Sequence, residues 1–286
     1  MKRPFSIAAW LTCFAVASLA SSPTSGTPVP DGRSIKGRVL KSFRQSEDAL
    51  EKYSCILHDE GDELNSDGSV KKHRSSVKEQ FFVNQIEIEH TLARDGKPLS
   101  PSDARKEQER VDKQVKKFSD PKEAAKAQSH DEKQADLFLR ALELKHGRRE
   151  QRAGRDTLVY DLAGDPDFRP KKIEERFAQV LTGNIAVDEQ SGTPVDLRFE
   201  TIRDIKIGAG LLANLHKGFW LHLSQQRQPD GIWMVKQVQG SGDARAALFV
   251  RARFRFKEEL ESCHVFAVNT RQKLGEPGSG HTEEKH

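Results

Sequence analysis

Two histidines lie in apolar-alternating segments, His222 within Lys217–Gln226 and His264 within Ser262–Val268. Imidazole titrates in the range a general base needs. A serine hydrolase also needs a nucleophile on a sharp turn and an acid in reach of the histidine. The chain contains no G-x-S-x-G, so each histidine reads as a lone strand residue. His58-Asp59-Glu60 is the nearest approach to a metal-binding cluster, but adjacent strand residues point to opposite faces. The same objection removes Glu258-Glu259 as an acid/base pair. Gly208-Ala209-Gly210 lacks the further glycine and the following helix of a dinucleotide loop. These residues imply no cofactor, no metal and no catalytic residue. Non-enzymatic is the leading reading, and hydrolase chemistry is the enzymatic alternative.

Aromatic side chains are the other chemically informative set. Trp220 and Trp233 fall on successive strands joined by Pro229-Asp230-Gly231. Such rings could line a cleft for acyl chains or a hydrophobic peptide, or they could be ordinary packing. Phe199, Phe219, Trp220, Trp233 and Phe254 are the candidate cavity residues. Cys55 and Cys263 remain once the N-terminal leader is set aside, and in an oxidising compartment they are a disulfide candidate. A bridge would close a loop of about 200 residues, worth about 4–5 kcal/mol on the chain-entropy model. Two buried free thiols are the other reading.

The elements that would position these residues follow from periodicity. Met1-Lys2-Arg3, the apolar run Phe5 to Ala20 and its small-residue end read as a secretory signal cleaved near Ala20. That places the protein in the periplasm or outside the cell. Cleavage lowers the formal charge from +4 to +2 by removing Lys2 and Arg3, which gives no charge argument for nucleic acid. No later stretch approaches the roughly 20 apolar residues of a membrane span. Residues 21–32 read as a flexible leader, and 269–286 as a disordered tail. Between them, 33–268 reads as one domain, monomeric, with a helical insert at about 100–145.

Helical spacing starts at Ile35, Val39 and Phe43, and Ser46 can cap a second short turn. Ser100-Pro101 opens a charged helix to about Phe118. A polar stretch 119–132 reads as mobile, and a more apolar helix carries Leu137, Phe138, Leu142 and Leu144. Nearly everything else alternates with period two. Val250–Lys257 shows it best: Val250, Ala252, Phe254 and Phe256 are apolar, whereas Arg251, Arg253, Arg255 and Lys257 are basic. A strand with one oily and one wet face belongs to an antiparallel sheet covered on one side. About 11–12 such strands predict an α+β fold: a strongly curved, unclosed antiparallel half-barrel with helices on its concave face. The oily face of Val250–Lys257 would then meet the helices of 100–145. Its basic face would either touch anionic headgroups at a membrane surface or pair with acids across strands.

Several segments resemble a known group. They are Tyr53-Ser54-Cys55 entering a long hairpin, Gly96-Lys97-Pro98-Leu99-Ser100 before a charged helix, and Lys217-Gly218 with Asp230-Gly231-Ile232-Trp233 in late strands. Together they resemble the unclosed β-barrel superfamily of periplasmic lipoprotein carriers, the Lol carrier and receptor proteins and related sensor domains of envelope-stress regulators. More closely, the chain is similar to secreted bacterial proteins of that type, over roughly residues 35–268. The resemblance implies a half-barrel that holds a lipoprotein's acyl chains or another hydrophobic ligand, with helices as a lid. The alternative within the same fold is a protein-binding sensor or envelope-regulation module that carries no lipid.

Overall fold

The computed structural model describes residues 28–152, 154–207, 213–246 and 250–265. The expected signal segment, most of the expected leader and the expected tail at 269–286 lie outside them. Helix α1 (Gly32–Leu50) is followed by strands β1 (Tyr53–Leu64), β2 (Val70–Val83), β3 (Ile86–Arg94) and β4 (Lys97–Pro98). Helices α2 (Pro101–Phe118) and α3 (Pro121–Arg140) lead to β5 (Leu142–Arg152), β6 (Arg155–Gly164) and helix α4 (Ile173–Ala178). The remaining strands are β7 (Leu181–Asp188), β8 (Pro194–Thr201), β9 (Ile205–Ile207), β10 (Ala213–Leu215), β11 (Trp220–Arg227), β12 (Trp233–Ala246) and β13 (Val250–Val265).

All thirteen described strands form one antiparallel sheet, in the order β4-β3-β2-β1-β13-β12-β11-β8-β7-β6-β5, with β9 and β10 appended to β12. The sheet is curved and does not close. The first and last strands pair in its middle, from Tyr53 opposite Val265 to Leu64 opposite Arg253. Its edges are therefore β4 and β5, which are joined in sequence by α2 and α3. A chain that leaves one edge and must re-enter at the other crosses the mouth of the half-barrel, so this topology places α3 on the concave face.

Alternation and register assign the faces. Leu158, Tyr160, Leu162, Ile185, Val187, Leu197 and Phe199 form the concave face of the β6–β8 region, and Ile35, Val39, Leu139 and Ala178 of α1, α3 and α4 pack onto it. Exposed sheet edges invite association with other chains, and helices here cover β3 beside one edge and the start of β5 at the other. On β3, the Thr91 amide donates to Oε1 of Glu107 at 2.8 Å, and Arg110 donates to the Glu89 carbonyl, so α2 completes the strand's free hydrogen-bonding edge. On β5, Lys36 of α1 donates to the Leu142 carbonyl at 2.8 Å. Gly32 sits so close that a Cβ there would lie 2.2 Å from the Leu144 carbonyl oxygen.

Cys55 and Cys263 form a disulfide between β1 and β13, with Cα atoms 4.0 Å apart. The register shifts at this point, and Ser262 takes φ 48°, a bulge that re-aims the side chains around it.

Several expectations need correction. The helix from Gly32 runs unbroken past Ser46. The stretch 119–132 is helical from Pro121, with Asp120 as N-cap accepting the Lys122 amide, because Asp-Pro is itself a helix start. Leu142 and Leu144 belong to β5, since the helix stops at Arg140. Val250–Lys257 and the separate segment from Ser262 belong to one strand, Val250–Val265. Pro30, expected in the flexible leader, is tied to the sheet, its carbonyl accepting the Tyr160 hydroxyl at 2.7 Å, and Gly32 already opens α1. The oily face of β13 meets phenylalanines of its own sheet rather than α2, which lies along β3.

Candidate functional site

Six phenylalanines form a continuous ladder across the concave side. Phe138 of α3 and Phe177 of α4 lie 6.2 Å apart between ring centroids, and Phe177 meets Phe199 of β8 edge-on at 5.9 Å. Phe199 and Phe177 both approach Phe219 at 6.3 Å. Phe219 leads to Phe254 at 6.2 Å, and Phe254 to Phe256 at 6.4 Å, both on β13. These separations are in the range of favourable aromatic pairs. The rings can lie flat because β12 carries glycine beneath them. A Cβ on Gly240 would lie 2.8 Å from the Phe256 ring, and one on Gly242 the same distance from Phe219.

At the helical end the ladder opens into a cleft of about 570 Å³. Its walls are Ala135 and Phe138 of α3, Ile173 and Phe177 of α4, Phe199 of β8, Ile205 of β9 and Leu215 of β10; Gln134 and Glu174 are its polar members. The volume is that of a small-molecule site, and the lining is apolar with few polar groups.

The cleft depends on where α4 sits, and Glu175 fixes that. Its buried carboxylate accepts the amides of Lys171 and Lys172 and the guanidinium of Arg140 on α3. Those two backbone amides, then Arg140, hold the carboxyl down at about 2. Gln179 ties the other end of α4, donating to the Ala141 and Asp165 carbonyls at 2.9 and 2.7 Å.

The concave face changes character beyond Phe256. Lys78 lies 2.9 Å from Glu89 and 3.4 Å from Asp59. Burial, and then the neighbouring acids, push the carboxyls of Glu258 and Glu87 up. The half-barrel is thus apolar under its helices and charged under β1–β3.

Of the candidate residues, Phe199, Phe219 and Phe254 are ladder members. Trp220 and Trp233 are not part of the cleft. Trp220 pairs with Glu200 in register while Leu221 pairs with Phe199, so the indole points to the opposite face, where it is 39% exposed. Trp233 packs on that same outer face against Val159, Ala186 and Val195. Phe138, Phe177, Ile173, Ile205, Leu215 and Phe256 were missed. Phe177 was hidden because, after a loop with Pro166 and Pro170, it reads as the first residue of a strand Phe177–Asp188, whereas it lies in helix α4 and β7 starts at Leu181. The available signal was Glu174-Glu175 just after Pro170, acids in the first turn of a helix.

The histidines are structurally engaged. His222 Nε2 lies 2.8 Å from Asp196, and Gln239 approaches its Nδ1 at 3.4 Å, so both ring nitrogens are occupied on the outer face. His58 faces Glu261 at 3.7 Å, and Nδ1 of His264 lies 3.3 Å from the Ser262 carbonyl. No group of three or more His, Cys, Asp or Glu side chains among the described residues is placed to hold a metal ion. The basic face of β13 is paired with acids. Arg255 bonds to Asp62 of β1 and Arg253 to Asp243 of β12 at 3.0 Å, whereas Lys257 pairs along its own strand with Glu259 at 2.6 Å. The Arg251 side chain lies outside the described residues.

Fold and cleft together define the class: an unclosed antiparallel half-barrel with helices on its concave face and an apolar cleft beneath them. No family model matches the chain, and no curated protein matches it. Two solved structures are similar to it. One is a putative outer membrane lipoprotein-sorting protein domain from Vibrio parahaemolyticus, at 10% identity, covering 83% of this chain and 97% of that one, with a TM-score of 0.33. The other is a DUF1329 family protein from Desulfovibrio piger, at 8% identity, covering 87% and 96%, with a TM-score of 0.29. No helix among the described residues is long and apolar enough to cross a membrane.

Proposed function

We propose that this protein is a non-enzymatic binding protein for a hydrophobic ligand, a lipid or a lipoprotein's acyl chain, held in the half-barrel. It acts in the periplasm or outside the cell, as a monomer, after removal of the signal segment near Ala20. The observation that carries the reading is the cleft of about 570 Å³ walled by Phe138, Ile173, Phe177, Phe199, Ile205 and Leu215 and continued by a ladder of phenylalanines. An open apolar surface of this kind is costly to leave in water unless something occupies it. The Cys55–Cys263 disulfide supports an oxidising compartment.

Mass spectrometry of organic extracts from the purified protein tests the reading, together with titration by an environment-sensitive fatty-acyl probe. Co-purifying lipid and saturable probe binding are expected. A clean extract with no probe binding sinks it. The sensor alternative draws support from a different observation: Ile35, Val39, Leu139 and Ala178 already fill the concave face over β5–β7. Capture of a periplasmic protein by a lipid-free sample would favour that alternative.

A further inference from the structure

We propose that the far end of the phenylalanine ladder is a headgroup site, so that the ligand is an anionic amphiphile rather than a neutral one. The inference rests on the acyl-binding reading above and adds the chemistry of the ligand's polar end.

Phe254 and Phe256, the last two rings, form the floor of a second cavity of about 540 Å³. Five cations line it: Arg253 and Arg255, which are paired with Asp243 and Asp62, and three others, Lys72 and Arg74 of β2 and Arg94 of β3. Register puts all three on the concave side with the rings. Arg74 stands opposite Gly61, which stands opposite Phe256; Lys72 stands opposite Glu63, which stands opposite Phe254; and Arg94 stands opposite Ser76 of the same row. Gly61, between the guanidinium and the ring, leaves open space, with no atom within 4 Å of where a Cβ would be.

The acids lining the same cavity are already held by other groups. Asp62 bonds to Arg255 and His73, Asp59 lies 3.4 Å from Lys78, Glu63 bonds to Lys71, and Asp95 accepts the Ser75 amide at 2.9 Å. Lys72 and Arg74 help to hold the Glu63 carboxyl down, but neither of them nor Arg94 makes an ion pair or side-chain hydrogen bond among the described residues. Three uncommitted cations therefore surround an aromatic floor that runs back, ring to ring, to the apolar cleft. A carboxylate or phosphate head fits the cations, and the attached chain fits the rings. Guanidinium groups suit either anion.

The test is displacement of the acyl probe from the whole protein by palmitate, by hexadecanol of equal chain length and by inorganic phosphate alone. Palmitate is expected to bind about tenfold more tightly than hexadecanol at low ionic strength, with the difference shrinking as salt screens the exposed cations. The variant carrying Lys72→Ala, Arg74→Ala and Arg94→Ala should lose that preference and keep its affinity for hexadecanol. Gly61→Leu fills the cavity while leaving every cation in the sequence, and should weaken palmitate binding more than hexadecanol binding. Equal binding of acid and alcohol by the unaltered protein, or a preference that survives the triple change, overturns the headgroup site and leaves the acyl cleft standing. Displacement by phosphate alone at palmitate-like concentrations overturns the amphiphile in favour of a free anion. If neither lipid displaces the probe, both readings fall together.

Discussion

Glu107 offers the sharpest test of how the open sheet is finished at its edge. The residue is 6% exposed, and its carboxylate accepts both the Arg110 guanidinium of its own helix and the Thr91 amide on the free edge of β3. Arg110, and then the Thr91 amide against the opposing effect of burial, holds the carboxyl down at about 2. An unfolded glutamate titrates near 4.3, so the full difference would correspond to about 3 kcal/mol; partial solvation of Arg110 reduces this to about 2 kcal/mol. The sign follows from linkage. A carboxylate whose folded pKa is depressed stabilises the fold above its unfolded pKa, and that stability is lost as pH falls from about 4.3 towards 2. Glu107→Gln keeps an acceptor for Thr91 and removes only the charge. Urea denaturation should show the variant about 2 kcal/mol less stable at pH 6, with the gap narrowing by about 1 kcal/mol at pH 3.5. A gap that is absent at pH 6, or that stays constant between the two pH values, would refute the assigned role.

Four other outcomes are expected. Phe177→Ala, at the centre of the ladder, should cost about 3 kcal/mol in chemical denaturation and also weaken acyl-probe binding; unchanged probe affinity would detach the ladder from the ligand. Gly183→Ala places a Cβ 2.0 Å from the Arg198 carbonyl oxygen, so the β7–β8 pairing must part. It should fail to fold or lose more than about 3 kcal/mol, whereas Gly61→Ala, in open space, should be neutral or gain up to about 1 kcal/mol in thermal melts. Opening the Cys55–Cys263 bridge, which spans 208 residues, by Cys→Ser at both positions should lower stability by up to about 5 kcal/mol, and an intact-mass measurement after alkylation reports the starting state. Because Arg253, Arg255 and Lys257 are paired with acids, changing all three to alanine should leave the salt dependence of binding to anionic vesicles unchanged; a flattened dependence would restore the membrane-contact reading.

Trp220 shows how much of the site was already legible. The alternation that makes Phe219, Leu221 and Leu223 one face necessarily puts Trp220 and His222 on the other, so its exclusion from the cleft was available from spacing alone. Trp233 was less accessible, because the register shifts between Ser224 and Gln225, against β12, and a bulge reverses the count of faces. Phe138 and Phe177 could not be assigned to the cleft from the chain. Helical spacing says which residues share a side, but not which sheet residues that side meets.

The local order was determined by the chain itself. Ser100-Pro101 and Asp120-Pro121 start helices because a side-chain acceptor and a pre-set φ suit the first turn. Period-two patterns give strands with one wet face, and Asn65–Gly68 and Pro229–Gly231 turn them, all from interactions a few residues apart. The tertiary structure alone decided that β1 pairs with β13, that α2 and α3 therefore bridge two sheet edges, and that rings from α3, α4, β8, β13 and the turn before β11 meet in one ladder. Those contacts join residues far apart in the chain, and many pairings satisfy the same one-sided pattern. Only the whole sheet, with its register, bulges and covered edges, selects among them.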